Sequence, residues 1–197
     1  MLFKVFCQAV RPFVISATFA LSFSAQAAPG IAPPAFDPVQ QVQGVPLQLN
    51  GTGTRYKVIL KVYDMALYTP RKASSLDELM AQPGPKRLNF VARRDIPGTD
   101  LGLAFIRGLS NNSSSTLIQK HVASSTRLIE IFSGRNKLAE GDTFAMEYQP
   151  GKGTAFFIQG QQQGAPVGDA EFFKMVMGVW IGPVPVDFKL KDALLGL

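Results

Sequence analysis

The sequence predicts an α+β fold, a mainly antiparallel sheet covered by helices, and the order of its segments is the reason. Segments with strand-like alternation dominate residues 45–93. Helical spacing of apolar residues follows over residues 98–132, and a hairpin signal and two more helical segments complete the chain. Strands and helices that come in separate runs favour an antiparallel sheet with helices packed on it.

The first 27 residues have the pattern of a secretory signal peptide. Lys4 and Arg11 give this segment positive charge, and the apolar stretch at residues 12–23 is too short for a bilayer span, which takes about 20 residues. Ala25-Gln26-Ala27 then matches a small-x-small cleavage site. We therefore expect cleavage after Ala27 and a periplasmic protein with no membrane span after signal removal. An uncleaved membrane anchor is the alternative.

The composition of the remaining chain excludes several kinds of site. Its only cysteine, Cys7, lies in the predicted signal peptide, so disulfides, thiolate nucleophiles and cysteine metal ligands are not expected. Loss of Lys4 and Arg11 lowers the formal charge from +6 to +4, and no basic tract predicts a nucleic-acid partner. Residues 28–44, rich in proline, glutamine and alanine, are expected to form an extended leader, and residues 45–197 a single domain.

Two strands are expected at the start of the domain. Residues 45–50 predict the first, and Gly51-Thr52-Gly53 predicts a turn into the second. Alternation over residues 55–63 places Arg55 and Tyr63 on the same face of that second strand. On a straight strand these two residues lie roughly 26 Å apart. Their side chains therefore share a ligand only if the chain bends or bulges between them.

The rest of the chain is punctuated by helix caps and turn signals. The clearest helix covers residues 117–132, where apolar side chains recur every three or four residues on one face. The other predicted elements are a short helix over residues 76–80 capped by Ser74 or Ser75, a strand at 87–93, a helix capped by Thr99, strands at 143–148 and 154–159, a helix after Asp169 and a closing helix from Asp187.

The sequence carries no motif for a metal, nucleotide or serine-nucleophile site. HExxH, Walker A, GxGxxG after a strand and GxSxG patterns are absent, so no cofactor and no metal are expected. His121 is the only histidine, and it lies in the middle of the apolar stripe of the predicted helix. We expect it to be a half-buried packing residue rather than the base of a catalytic triad.

One run of residues resembles a known family. From Leu49 to Tyr68, a glycine-rich turn is followed by an arginine among Val, Ile, Leu and Tyr residues. Segments 86–88, 94–98 and 179–182 and the late hairpin carry the same likeness. Together they resemble the chalcone isomerase-like family, and its bacterial secreted branch more than the plant enzymes. The resemblance implies an open-faced β-sandwich with a ligand cleft between a large antiparallel sheet and its helices.

The resemblance also implies the residues of a site. Arg55 matches the family's arginine, which helps to stabilise an enolate in the plant enzymes and holds the carboxylate in fatty-acid-binding relatives. Tyr63 stands where the plant enzymes have a threonine. Three further polar positions of those enzymes fall near Leu101, Gly108 and Val179. A leucine, a glycine and a valine cannot orient a water or a phenolate, so the resemblance favours a binding protein without catalysis.

Three functions remain open at this point. The first is periplasmic binding of a small apolar acid, such as a fatty acid, with Arg55, Tyr63 and Tyr68 as ligand-binding residues. The second is an isomerase or intramolecular lyase acting through an enolate. The third is a non-catalytic accessory protein of the envelope, and Arg55 is then free to be structural and to bridge to Asp64 or Glu147. The side chains that could line the cleft, with the core as the alternative, are Phe156, Phe157, Phe172, Phe173, Met175 and Met177.

Overall fold

The computed structural model describes residues 36–197, so the predicted signal peptide and its cleavage site lie outside the described residues. In this part of the chain the strands are β1 (Val39–Val42), β2 (Val45–Lys57), β3 (Leu60–Thr69), β4 (Lys86–Ala92), β5 (Ile96–Pro97), β6 (Lys137–Leu138), β7 (Thr143–Gln149), β8 (Gly153–Ile158) and β9 (Gln161–Gln162). The helices are α1 (Leu76–Ala81), α2 (Gly98–Asn112), α3 (Ser115–Lys120), α4 (Val122–Ser133), α5 (Ala170–Ile181) and α6 (Phe188–Leu195).

The strands form one large sheet and a small ribbon. The large sheet has seven strands in the order β1-β2-β3-β4-β7-β8-β9, and every neighbouring pair is antiparallel. Strands β5 and β6 pair separately. The α+β prediction, with a large antiparallel sheet covered by helices, is confirmed. The sheet begins at Val39, inside the segment predicted to be an extended leader.

One face of the sheet, called here the inner face, packs against the helices. Alternation along β3 puts Tyr63 and Met65 on this face, and the strand register carries the pattern to Phe90 and Phe144 in the next two strands. Phe90 lies 5.3 Å, ring centre to ring centre, from Trp180 of α5. These side chains are all buried in one core cluster with apolar residues of α2, α4 and α5, so the core lies between the sheet and its helices.

The first hairpin of the sheet differs from the prediction. Strand β2 runs without a break through Gly51 and Gly53, and the turn lies instead at Val58 and Ile59, because Lys57 pairs with Leu60. The glycines serve helix packing. A Cβ atom at Gly51 would lie 2.1 Å from the carbonyl oxygen of Ala193 in α6, so only glycine lets α6 approach the strand this closely.

The predicted helix over residues 117–132 is divided into two. Helices α3 and α4 meet at His121, whose backbone angles (φ −106°, ψ 22°) are not those of an α-helix. The His121 side chain is 6% exposed, more buried than expected, and its Nε2 lies 2.9 Å from Oε2 of Glu171. The break therefore turns this imidazole towards the first turn of α5.

Most of the predicted helix starts are found in the structure. Ser75 caps α1 by accepting from the backbone N–H of Glu78, and Asp169 and Asp187 cap α5 and α6 in the same way. The exception is Thr99, since α2 already begins at Gly98 without a side-chain cap. None of the helices within residues 36–197 has the length and apolar character that a bilayer crossing requires.

Candidate functional site

A cleft of about 320 Å³ lies between the β2–β3 hairpin, the first half of α2 and the end of α5. It combines an apolar wall with polar and charged side chains. Small-molecule sites in proteins have volumes of about 300–1,000 Å³ and place polar groups beside an apolar surface. The cleft is therefore the candidate functional site.

Arg55 and Tyr63, two of the predicted ligand-binding residues, lie side by side in this cleft. They are direct partners in the register of β2 and β3, and Cζ of Arg55 lies 6.0 Å from the centre of the Tyr63 ring. The bend that the sequence required between them is the turn at Val58 and Ile59. Because directly opposed residues of an antiparallel pair have Cβ atoms about 5 Å apart, one ligand can contact both side chains.

The phenol of Tyr63 is held in place from the core. Trp180 donates its Nε1–H to the Tyr63 hydroxyl oxygen at 2.8 Å, and Phe90 and Phe144 meet the ring edge-on. Burial raises the pKa of Tyr63 above its ordinary value of 10.0, although the Arg55 charge and the Trp180 hydrogen bond act in the opposite direction. The phenol therefore keeps its proton at neutral pH. Its O–H is suited to donate to an anion and poorly suited to act as a base.

Arg55 has no carboxylate partner in the described chain. Its Nε atom is buried without a hydrogen-bond acceptor. No carboxylate oxygen between residues 36 and 197 lies within 4.0 Å of the guanidinium nitrogens, the distance that defines an ion pair. Asp64 lies 3.4 Å from Arg93 instead, and Glu147 lies 2.6 Å from Arg87. The alternative in which Arg55 bridges to Asp64 or Glu147 is therefore wrong.

Asp187 is the acid whose charge acts on Tyr63, and its carboxylate also caps a helix. Its negative charge contributes to the raised pKa of Tyr63. Its oxygens accept from the backbone N–H groups of Tyr56, at 3.1 Å, and of Lys189 and Leu190, at 3.0 and 3.2 Å. The carboxylate thus caps α6 and ties that helix to β2, so it leaves the guanidinium of Arg55 open to an anion from outside.

Exposed charges line the cleft as well. Three are positive and two negative: Lys57, Arg94 and Arg107 against Asp95 and Asp100. Lys137 donates to Asp95 at 2.5 Å, and this hydrogen bond lowers the pKa of the Asp95 carboxyl. With Arg55 included, the cleft carries a positive excess, which attracts anionic ligands.

The sequence profile of the chalcone isomerase-like family matches residues 28–196, and the resemblance inferred from the sequence is confirmed. The chain belongs to the chalcone isomerase-like family. The solved structure of a fatty-acid binding protein of Arabidopsis thaliana has the same fold, with a TM-score of 0.62 and 16% sequence identity. The match covers 81% of this chain and 90% of the plant chain. No curated protein sequence matches the chain.

This chalcone isomerase-like protein has apolar groups where the resemblance placed polar groups of the plant enzymes. Leu101 and Val179 both line the cleft. Gly108 lies behind that wall, because a Cβ atom there would be 2.7 Å from Cγ1 of Val179. The side of the cleft formed by Leu101 and Val179 therefore offers no group that positions a water or a phenolate.

Trp180 is a site residue that sequence reasoning missed. Its helical spacing from Phe173 and Val176 marked it only as part of a buried helix. A signal was available, since a buried tryptophan usually gives its N–H a partner. The sequence does not say that this partner is Tyr63, because the contact joins residues far apart in the chain.

Tyr68, the third predicted ligand-binding residue, lies on the outer face of the sheet. It is an odd number of residues from Tyr63 along β3, and successive side chains of a strand alternate between faces. Its hydroxyl donates to the backbone oxygen of Asp37 at 2.9 Å. The ring is buried in a separate cluster with Val42, Leu47 and Ala66. The structure does not bring Tyr68 together with Arg55.

The aromatic and methionine residues that could have lined the cleft do not line it. The core contains Phe156, Phe172, Phe173, Met175 and Met177. Phe157 lies on the outer face, where its ring centre is 5.4 Å from Cζ of Arg87. The five core residues are therefore packing residues, as the alternative interpretation held, and the cleft takes its apolar wall from α2 and the end of α5 instead.

A cluster away from the cleft contains potential metal-ligand atoms. His121, Asp169 and Glu171 each place one such atom within 4.8 Å of the others. The ammonium of Lys120 binds the same Glu171 carboxylate, so a cation of the protein already balances the cluster. We assign no metal to it.

Proposed function

We propose that this protein binds a small apolar carboxylic acid, such as a fatty acid, in the cleft and in the periplasm, without catalysing a reaction on it. The observation that carries the proposal is the buried Nε of Arg55, which lacks an acceptor in the described chain and lies beside the Tyr63 phenol. A carboxylate accepts two parallel hydrogen bonds from a guanidinium and has lone pairs left for a phenol. The fatty-acid binding named for the Arabidopsis protein supports the same class of ligand.

The walls of the cleft suit the tail of such a ligand. Leu101, Phe105 and Val179 form an apolar surface next to Tyr63. Burying an acyl chain against them releases about 0.8 kcal/mol for each methylene. The cavity is at the lower end of the usual range of ligand-site volumes, which favours a short or medium chain over a long one.

An isomerase that acts through an enolate has less support. It needs a base or an oriented polar group, and the raised pKa of Tyr63 makes this phenol a weak candidate. We expect no chalcone cyclisation above the uncatalysed rate in a spectrophotometric assay. Turnover that disappears in Arg55→Ala would restore the isomerase hypothesis.

The decisive experiment is a calorimetric titration with decanoate. Arg55→Ala removes the charge-assisted hydrogen bonds, so we expect affinity to fall about 10- to 150-fold, equivalent to about 1.5–3 kcal/mol. The control is Arg127→Ala, which also removes one positive charge, from an exposed pair with Glu130 outside the cleft. It should leave affinity unchanged.

A second ligand separates head-group recognition from tail burial. Decanol has the same tail without the carboxylate, so Arg55→Ala should barely change its binding. Equal losses for acid and alcohol would show that the substitution damages the cleft as a whole. Unchanged acid affinity together with a large loss of thermal stability would make Arg55 structural and remove the basis of the proposal, in favour of the accessory protein.

A further inference from the structure

The turn of the β2–β3 hairpin exposes an apolar tip to solvent. Val58 is 92% exposed, Ile59 84% and Leu60 51%. Side chains at a turn are usually polar or glycine, because nothing in the fold covers them. Three consecutive apolar residues at such a position indicate a contact with something beyond the described residues 36–197.

The backbone of the tip supports the same conclusion. Val58 has φ 60°, the left-handed region that favours glycine and asparagine and is costly for a β-branched residue. Its side chain is too exposed to gain packing energy in return. A valine at position 58 thus costs backbone strain and gains no packing in return. A strained residue that does not stabilise the fold indicates a function.

Positive charges flank the tip on both strands. Lys57 ends β2 and Lys61 lies near the start of β3, and both are exposed. Neither ammonium has a carboxylate within 4.0 Å in the part of the chain that the structure describes. Asp187 lies next to the hairpin but accepts from the Tyr56 N–H as part of the α6 cap. Phe188, the residue after it, is 63% exposed and adds a further apolar side chain.

We infer that this hairpin docks on a lipid bilayer that carries anionic headgroups. Val58, Ile59 and Leu60 enter the boundary between headgroups and acyl chains, and Lys57 and Lys61 lie against the phosphates. The shape favours lipid over protein, because a stable protein interface takes about 800 Å² from each partner and a two-residue turn offers far less. Apolar insertion combined with unpaired lysines needs no complementary protein surface.

Docking in this way would bring the cleft to the membrane. Lys57 lines the cleft as well as flanking the tip, and Arg55 is two residues from it on β2. An apolar acid that leaves the bilayer would then meet the cleft at its surface. This consequence rests on the proposed function, whereas docking itself rests only on the tip.

Vesicle sedimentation tests the inference. Protein from the full-length gene is purified, and its N-terminus is read by mass spectrometry so that all variants compared begin at the same residue. We expect binding to vesicles of phosphatidylcholine with phosphatidylglycerol, weaker binding to phosphatidylcholine alone, and a decrease with salt. Val58→Gly combined with Ile59→Ser should reduce the partition coefficient about tenfold or more. Lys61→Gln should reduce it about fivefold.

The variants distinguish docking from unfolding. Val58→Gly alone relieves the positive φ, so its melting temperature should be equal to or above that of the parent while vesicle binding falls. Val122→Ser removes an apolar side chain that is 59% exposed on α4 and should leave binding unchanged. Equal binding by the parent and the Val58→Gly, Ile59→Ser variant would overturn the inference. Failure of the parent to prefer anionic vesicles would overturn it too, and failure of decanoate binding alone would affect only the proposed function.

Discussion

Replacement of Gly51 by alanine tests how α6 is held on the sheet. The added Cβ would lie 2.1 Å from the carbonyl oxygen of Ala193 and 2.6 Å from that of Leu194. Both obstacles are backbone atoms, so no side-chain rotation relieves the overlap, and α6 must move by about 1 Å. Gly51 has no positive φ, so backbone strain does not contribute to the cost.

The magnitude follows from what α6 buries. Leu190, Leu194 and Leu195 are each at most 5% exposed, and burial of one leucine is worth about 1.5–3 kcal/mol. Asn50 also donates to the Leu194 carbonyl at 2.7 Å. Overpacking costs about 1–3 kcal/mol where neighbours can adjust. Because backbone adjusts less, we expect Gly51→Ala to lower the free energy of unfolding by about 3 kcal/mol or more, and Tm by about 6–12 °C.

Gly53→Ala is the matched control, measured in the same thermal and urea melts. Its added Cβ would meet Cδ1 of Leu190 at 2.9 Å, the end of a side chain that can rotate, and Cβ of Ala193 at 3.0 Å, a milder overlap than the 2.1 Å at Gly51. We expect a cost of about 1 kcal/mol. A Gly51→Ala protein as stable as its parent, or no more affected than Gly53→Ala, would refute the docking of α6 described above.

Three further predictions concern the site, a surface cluster and processing. Trp180→Phe leaves the Tyr63 hydroxyl without its donor, so we expect urea titrations to show a loss of about 1–2 kcal/mol in the free energy of unfolding. The loss in a Tyr63→Phe, Trp180→Phe double variant should differ from the sum of the two single losses, because both substitutions remove the same hydrogen bond. The hydrogen bond from Lys120, and secondarily that from His121, lowers the pKa of Glu171 below its ordinary 4.5. The ionised Glu171 carboxylate therefore stabilises the fold fully above about pH 4.5, and this stabilisation is lost as the pH falls through the lowered pKa of Glu171. In melts below pH 4.5, the stability of Glu171→Gln should depend less on pH than that of the parent protein. Cleavage after Ala27 stays a prediction, and N-terminal sequencing of the exported protein checks it: an intact Met1 in the periplasmic fraction would contradict it.

The sequence predicted the parts of the fold that depend on local signals. Asp169 and Asp187 were expected at helix starts because short polar side chains accept from the free N–H groups there, and both do so. The order of strands and helices along the chain, and the family, followed from segments that also carry local patterns. Arg55 and Tyr63 were identified by residue type and resemblance, and the structure brings them together.

The sequence did not predict the turn that joins these two residues. A hairpin turn is usually recognised by a glycine, asparagine or proline, and the turn at Val58 and Ile59 contains none of these residues. The only glycines nearby, Gly51 and Gly53, were therefore interpreted as the turn, although their role is contact with a helix more than 130 residues later in the chain. Tyr68 was misplaced for a different reason: it lies five residues from Tyr63 on one strand, and alternation along that strand already places the two side chains on opposite faces.

The order of strands in the sheet has a consequence for how the protein folds. Strands β1 to β4 are neighbours in both sequence and space, whereas β4 and β7 pair across residues 93–142. Closing so long a segment costs more chain entropy than closing a two-residue turn, so the β4–β7 pairing should be the slow step. Until it occurs, β4 is an open sheet edge. We expect the nascent chain to be most prone to aggregation in that interval, and a chain that ends before β7 to remain unfolded.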